Sequence, residues 1–378
     1  MDKREWARLA PLALATMASQ ALLVVLGPIM VAVGADLGAS VSAIGQARSV
    51  TAVVAIAVSA SIASRVDTLG VSRLVAVGGA FAVAGCAAIA SAPALAVFLL
   101  AHVLVGIAVA CLLSAGFAGT AAFAAERRAW AIGWVAGANA LAWIVVAPVV
   151  GMVAARSSWR TAEAIPAVVA LAAIVAARSA NSPSTAPAAA QFRTLVAHRS
   201  ARRWLVAEVA AYGAWAALLT FVGAFFVERL RVGEGLVGWL LACGAASFFV
   251  TATRGAGLVA SLPRRPLITA VSLLMGVLFV VELGASGSAA VGVAAFCTLG
   301  LAAGVRTPAS SALGLMQLPD HPGAMMAART AANQLGYLLG ALVGGTVIAV
   351  AGYGAFGVVL AAVMSVSALL ILRVDDPA

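Results

Sequence analysis

The sequence predicts an all-α polytopic membrane protein with twelve transmembrane helices in two related bundles of six. Of its 378 residues, 64% are hydrophobic and only 10% are charged, which is too little charge to cover a soluble protein of this length. Apolar runs of roughly 18–25 residues recur along the chain, and each can cross a bilayer as a helix. Because lipid offers no hydrogen bonds to the backbone, such runs form helices and not open strands.

An internal repeat indicates the two bundles. Residues 104–151 align without a gap with residues 298–345, and both windows contain an apolar helix, a short polar break and a second apolar helix. The alignment places Asn139 on Asn333. A hydrophobic chain of two similar halves is typical of transporters that move one half against the other.

The predicted spans define a first bundle at 1–177, a cytoplasmic linker at 178–203 and a second bundle at 204–378. The first apolar run has no polar break before residue 33, so we expect an uncleaved first span and not a signal peptide. The linker is rich in Ser, Pro and Ala and then in basic residues, which predicts a flexible segment and a short helix on the inner leaflet. The predicted spans are 9–33, 43–62, 73–93, 96–122, 130–154, 159–177, 204–226, 235–258, 266–284, 288–314, 324–349 and 354–373.

The net charge of +10 follows this topology. In the twelve-span arrangement most Lys and Arg fall on the side of the membrane that holds both termini. Basic residues favour the cytoplasmic side. We therefore expect a multi-pass protein of the bacterial inner (cytoplasmic) membrane, with cytoplasmic N- and C-termini, that contacts the lipid bilayer and no nucleic acid.

The residues able to carry chemistry argue against an enzyme. The four cysteines lie within apolar spans, and the three histidines have no metal-ligand spacing, which indicates packing residues and not disulfides or a metal site. The sequence has no phosphate-binding glycine loop of the P-loop type. We expect no cofactor and no metal, a monomer, and energy drawn from an ion gradient.

A short motif follows the predicted second span. Residues 63–73 read ASRVDTLGVSR and resemble the G-x-x-x-D-R-x-G-R-R/K signature of the major facilitator superfamily (MFS), with matches at Asp67, Gly70 and Arg73. A glycine here supports a tight turn, and an acid and a base can form charge-assisted hydrogen bonds. The resemblance implies that this loop latches the inner gate; an ordinary polar turn is the alternative.

Two further stretches resemble the twelve-helix drug:proton antiporter-like exporters of that superfamily. In span five, Gly137, Pro148 and Gly151 are similar to their GPxxGG motif, in which small residues let helices approach closely. In span four, His102 occupies a position where these exporters often carry Arg. Because His gains and loses a proton near neutral pH, His102 is a candidate for proton coupling; a hydrogen bond in a helix interface is the alternative.

Ionisable residues inside a membrane are costly and usually face a cavity or a partner. Glu208 is the one carboxylate that the sequence places well inside a span, whereas Asp36 and Glu282 are expected in loops. Glu208 is therefore the second candidate for proton coupling, and pairing with Arg202 or Arg203 is the alternative.

Polar residues at helical spacing predict a substrate pathway. Glu208 shares one face of span seven with two aromatic residues, and a similar stripe follows on span eleven. The excess of intramembrane Arg over acid favours anionic or polar solutes, because Arg binds carboxylate bidentately. The candidate substrate or cavity residues are Arg48, Asn139, Tyr212, Trp215, Arg306, Arg329, Asn333 and Tyr337.

These patterns together predict a secondary active transporter that works by alternating access. The resemblance implies proton-coupled efflux of small hydrophobic drugs or metabolites, and with it antibiotic resistance, so that the partners are a small-molecule substrate and protons. An importer or facilitator of a small anionic or polar nutrient on the same fold is the alternative. A third hypothesis is a receptor or sensor built on a transporter scaffold.

Overall fold

The computed structural model describes residues 3–62, 70–123, 131, 134–135, 137–178, 197–254, 262–285, 287–318 and 322–376. Within these residues every regular element is a helix, and eleven helical segments are long and apolar enough to cross a membrane. The last of them, Ala331–Ile371, is interrupted at Gly352, where φ is 77° and ψ is −177°. This interruption falls between the two last predicted spans. The prediction of an all-α polytopic membrane protein is confirmed.

In the first part of the chain, eight α-helices can be given bounds within the described residues. α1 and α2 are separated only by Val25, so Glu5–Asp36 is one span of 32 residues. Pro28, in the first turn of α2, has no N–H to donate to the preceding turn, which accounts for the interruption. The helices are α1 (Lys3–Val24), α2 (Leu26–Asp36), α3 (Val41–Ile62), α4 (Val71–Ala90), α5 (Leu95–Ala118), α6 (Ala147–Arg156), α7 (Trp159–Ala162) and α8 (Ala164–Ala177).

A π-helix, Ala142–Val146, directly precedes α6. Pro148, the second residue of α6, cannot donate to the carbonyl four residues before it. A wider turn next to such a proline lets the chain continue as a helix through the span.

In the second part of the chain, five α-helices can be given bounds within the described residues. A second π-helix, Val281–Ala285, extends α11. Gly352 divides α13 into the two stretches that the sequence predicted as separate spans. The helices are α9 (Arg199–Glu228), α10 (Glu234–Arg254), α11 (Arg264–Val280), α12 (Ala289–Gln317) and α13 (Pro322–Ile371).

The chain divides into two compact units. The first consists of Met1–Pro187 with Gly233–Ala242, and the second of Ala188–Val232 with Cys243–Ala378. In the first unit, α5 packs against α3 and α4; in the second, α13 packs against α9 and α11. Most of the predicted linker lies outside the described residues, so the boundaries of the two bundles stay a prediction.

Glycines allow α9 and α13 to approach closely inside the second unit. A Cβ on Gly336 would lie 2.8 Å from the backbone nitrogen of Gly213, and a Cβ on Gly340 would collide with the carbonyl of the same residue. No side chain fits between these backbones, so the small residues set the distance between the helices. The residues on either side of this contact are consequently brought together.

Candidate functional site

Three charged side chains meet in the interior of the second unit. Glu208 on α9 accepts a hydrogen bond at Oε1 from Nη1 of Arg306 on α12, and at Oε2 from Nε of Arg329 on α13, both at 2.9 Å. The exposed fraction is 2% for the Glu208 side chain, 8% for Arg306 and 17% for Arg329. One carboxylate thus binds two guanidinium groups, and this Glu208 cluster carries an excess of positive charge.

Serine hydroxyls complete the Glu208 cluster. Ser310 donates to Oε1 of Glu208 at 2.9 Å. Arg306 donates from Nε to Ser272 Oγ at 2.9 Å and from Nη2 to Ser367 Oγ at 3.2 Å. Buried charges persist only when such hydrogen bonds replace the water that they lose. The cluster therefore ties together α9, α11, α12 and both stretches of α13.

The two polar stripes predicted to face the pathway contact each other, and their exposure to a pathway stays a prediction. Glu208 meets Arg329, and the ring of Tyr212 lies edge-on to that of Tyr337, with centroids 5.2 Å apart. Both helices run in the same direction and are held close by their glycines, so the stripes flanking the contact meet. Trp215, also on α9, is partly buried.

The structure contradicts one alternative and one expectation about carboxylates. Glu208 pairs with Arg306 and Arg329, not with Arg202 or Arg203; the latter donates to the carbonyl of Arg373 at 3.0 Å. Glu208 is also not the one buried carboxylate among the described residues. The structure buries two more, at the ends of predicted spans: Glu163 is 3% exposed and Glu282 is 0% exposed.

Helical spacing contained the signal for these two acids. Glu163 follows the buried Trp159 by one turn, and Glu282 follows the buried Phe279 by three residues. Positions three or four apart share a helix face. Each acid therefore had to point towards the same interior as its aromatic neighbour, although it lies near the end of its span.

The first unit contains a buried pair of basic groups, Arg48 on α3 and His102 on α5. They are 3% and 6% exposed, on two helices that pack against each other. His102 Nδ1 lies 2.8 Å from the carbonyl oxygen of Phe98. Since a carbonyl only accepts, Nδ1 carries the hydrogen, and Nε2 is the nitrogen that can take up a further proton.

The two asparagines matched by the repeat have similar surroundings in their own units. Asn139 and Asn333 are both partly buried, and neither side-chain oxygen has a hydrogen-bond partner among the described residues. A buried amide oxygen normally has a donor. Each is thus placed to accept a hydrogen bond from a bound molecule, which stays a prediction.

The loop motif is described only in part. Asp67 lies outside the described residues. Gly70 directly precedes α4 with φ 74° and ψ 150°, a backbone conformation that glycine adopts readily and other residues avoid. Arg73 is exposed. Gly70 thus has a backbone conformation suited to a turn, and the turn and the gating role of the motif stay predictions.

The proposed exporter motif packs against the first part of α10, within the first unit. A Cβ on Gly238 would collide with the backbone of Ala147 and Pro148, and one on Gly151 would lie 3.4 Å from the Glu234 carbonyl oxygen. Gly137 has a different environment, because no described heavy atom lies within 4 Å of the position of its Cβ. The contacts of Pro148 and Gly151 fit the helix-packing expectation, and that for Gly137 stays a prediction.

The described residues contain no group of three His, Cys, Asp or Glu side chains able to hold a metal ion.

The family model described as Major Facilitator Superfamily matches residues 12–204, just over half of the chain. The match runs from the first span into the start of α9 and includes the loop motif and the motif in span five. No curated protein is similar enough to the chain to give a match.

Proposed function

Because the chain belongs to the major facilitator superfamily, and so is a membrane transporter, we propose that it exports small hydrophobic drugs or metabolites in exchange for protons. The observation that carries this proposal is that each unit buries ionisable side chains within transmembrane helices: Arg48 with His102, and the Glu208 cluster. Such residues are too costly in a membrane to be retained without a role in transport or in its gating. Alternating access supplies the mechanism.

In this proposal His102 is the first candidate to carry the proton. Its Nδ1 is held by the Phe98 carbonyl, which fixes the ring and leaves Nε2 as the exchangeable position. A proton bound there adds a second positive charge beside Arg48, so its release and the movement of α5 against α3 are energetically linked.

Glu208 is the second candidate and requires a conformational change. Both of its oxygens accept hydrogen bonds in this state. The two neighbouring guanidinium groups favour the charged carboxylate, so proton binding becomes favourable once an arginine has moved away. Arg329 is the more exposed of the two, so separation of Glu208 from Arg329 is the step that we assign to proton binding.

The outward direction is supported by the contact between the span-five motif and α10. Ala147, Pro148 and Gly151 lie against Gly238, and the resemblance of this motif to those of drug:proton antiporters favours export. We place the protein in the bacterial inner membrane, as a monomer with both termini in the cytoplasm, because basic residues dominate that side of the predicted topology.

A second candidate function is import or facilitated passage of a small anionic nutrient. It is favoured by the basic character of the buried sites, since Arg48 and His102 form one and the Glu208 cluster contains two arginines for one acid. Arginine binds carboxylate and phosphate groups bidentately. Direction of movement separates the two candidates.

Proton movement in energised inside-out vesicles tests the proposal. Lipophilic cations, neutral antibiotics and organic acids are added one by one after a pH gradient has formed. We expect one class to collapse the gradient in vesicles with the protein and not in vesicles without it. His102→Gln should abolish the response, whereas His198→Gln, at an exposed histidine, should retain it. A full response with His102→Gln would exclude His102 as the proton carrier.

A further inference from the structure

Thr51 on α3 departs from the behaviour of other buried threonines. Thr16 and Thr220, both at most 1% exposed, donate to the carbonyl four residues before them at 2.9 and 2.8 Å, as hydroxyls in membrane helices usually do. Thr51 is 2% exposed, yet within the described part of the chain its Oγ1 has no hydrogen-bond partner. Buried hydroxyl groups normally have a hydrogen-bond partner, so the state of the Thr51 hydroxyl needs an explanation.

The position of Thr51 supplies one. Thr51 follows Arg48 by three residues, so both lie on one face of α3. This face packs on α5 at Gly106, where a Cβ would lie 2.8 Å from the Thr51 carbonyl oxygen and 2.6 Å from Cβ of Val54. Gly106 is one turn beyond His102. The absent side chain of Gly106 thus brings Arg48 and Thr51 close to His102.

These three side chains form a set of donors with positive charge. Arg48 contributes a permanent charge and several N–H groups, Thr51 an O–H group, and His102 a second charge whenever Nε2 is protonated. A cationic ligand would be repelled here. An oxyanion would gain charge-assisted hydrogen bonds, which are stronger than those between neutral groups.

The neighbouring side chains indicate the rest of the ligand. The ring of Phe98 lies 4.7 Å from that of His102 between centroids, and Val54 adjoins Gly106. Apolar groups beside a few convergent donors are typical of sites for small organic molecules. We propose that Arg48, Thr51 and His102 bind the carboxylate of a small organic acid with an apolar body, and that such acids are the substrate class.

The assignment of a substrate class rests on the proposed transport function, but binding at the site can be measured without transport. The full chain in lipid nanodiscs is titrated calorimetrically at neutral pH with benzoate, benzylamine and benzyl alcohol, which share a ring and differ in charge. We expect benzoate to bind, and the other two to bind at least about 10-fold more weakly, because they lack the carboxylate.

Variants locate the site. Thr51→Val preserves the shape of the side chain and removes the hydroxyl, so benzoate affinity should fall about 10-fold, the loss expected for one hydrogen bond to a charged group. Arg48→Gln should lose more, and Arg48→Lys should retain part of the affinity. Arg156→Gln, at an exposed arginine of the same unit, is the matched control and should bind as the unmodified protein does.

The proposal is overturned if benzoate fails to bind the unmodified protein, or binds Thr51→Val and Arg48→Lys with unchanged affinity. Thermal unfolding without ligand identifies a variant that has not folded. If an Arg48 variant has not folded, the benzoate affinity of Thr51→Val, the mildest change, decides the test. Binding of benzoate without any solute-dependent proton movement in vesicles would refute the proposed transport function and leave this site intact. Transport of cations alone in vesicles, without benzoate binding, would refute this site and leave the proposed transport function intact.

Discussion

Glu208 illustrates how a buried charge can be essential without being favourable. Moving one carboxylate and two guanidinium groups out of water costs several kcal/mol for each ion. Their mutual attraction offsets that cost, together with the hydrogen bonds that Ser272 and Ser367 accept from Arg306 and that Ser310 donates to Glu208. The arrangement is stable only while all its members are present. Loss of the carboxylate leaves two arginines buried beside each other.

We therefore predict that Glu208→Gln lowers the free energy of unfolding by about 3–5 kcal/mol, the cost of breaking a buried ion pair from one side. Unfolding of the detergent-solubilised protein measures it. Glu228→Gln is the control, because Glu228 is exposed although it accepts a 2.7 Å hydrogen bond from Tyr353; about 1 kcal/mol or less is expected. Unchanged stability of Glu208→Gln would contradict the structural role.

The same contact affects how transport by Glu208→Gln is interpreted. Loss of gradient-driven transport with retained exchange would indicate proton coupling, but only if the variant is folded. The double variant Glu208→Gln, Arg329→Gln removes one uncompensated charge and should recover part of the stability. If the double variant is folded and still couples protons to transport, Glu208 is not the proton site.

The sequence identified the charged members of the Glu208 cluster but neither their contact nor the three serines that bind them. Intramembrane position alone selects Glu208, Arg306 and Arg329 as candidates. Arg306 and Arg329 follow Glu208 by 98 and 121 residues in the chain. The three residues lie on three helices, and the rotation of each helix about its axis depends on packing at glycines such as Gly213. Hydropathy contains no information about that rotation. For the same reason the burial of Glu163 was not predicted.

At the scale of elements, Arg160 connects three helix ends in the first unit. Its Nη2 donates to Asp36 at the end of α2 at 2.7 Å. Its Nη1 donates at 2.7 Å to the carbonyl of Ala90, the last residue of α4, and at 2.9 Å to that of Ala92. The guanidinium also lies 4.4 Å from the ring centre of Trp159. Cationic groups at helix carboxyl ends are favourable.

We predict that Arg160→Gln lowers the free energy of unfolding by about 1–3 kcal/mol, because it removes several charge-assisted hydrogen bonds of a partly exposed group. Arg156→Gln, four residues earlier and exposed, should change it by less than about 0.5 kcal/mol. The measurement is thermal or denaturant unfolding of both variants in the same detergent. Equal stabilities would show that the Arg160 contacts do not hold these helix ends.

Gly238 tests the packing of α10 on the span-five motif. A larger side chain would collide with the backbone of Ala147 and Pro148, so Gly238→Val should force the helices apart and reduce transport in the vesicle assay at least about 10-fold. Gly233→Val is the control, since no described heavy atom lies within 4 Å of its Cβ position. Full transport by Gly238→Val would show that this close contact is dispensable.

Element boundaries followed from the sequence better than their internal irregularities. The spans were predictable because apolar length is what a bilayer requires, and the break at Gly352 falls between two predicted spans. The π-helices Ala142–Val146 and Val281–Ala285 were not predicted. One has a recognisable cause in Pro148; the other has none that the local sequence reveals, because a π-turn leaves the apolar pattern nearly unchanged.

At the scale of the molecule, two sets of observations support a carrier. The internal repeat aligns Asn139 with Asn333, and both asparagines have a buried side-chain oxygen without a partner among the described residues. Each compact unit has its own buried ionisable group. Two similar units, each with a polar interior, are what a transporter needs if it is to open to either side of the membrane in turn.

Distances between spin labels on the two units test that claim most directly, and they need no knowledge of the substrate. In a background without the four cysteines, one pair of labels replaces Arg178 and Leu372, on the predicted cytoplasmic side, and another replaces Ser91 and Gly287, on the opposite side; all four are exposed. Pulsed electron resonance in nanodiscs measures both distances between neutral and acidic pH. Alternating access predicts two populations for each pair, with one distance shortening as the other lengthens. A single distance for both pairs under all conditions would contradict it.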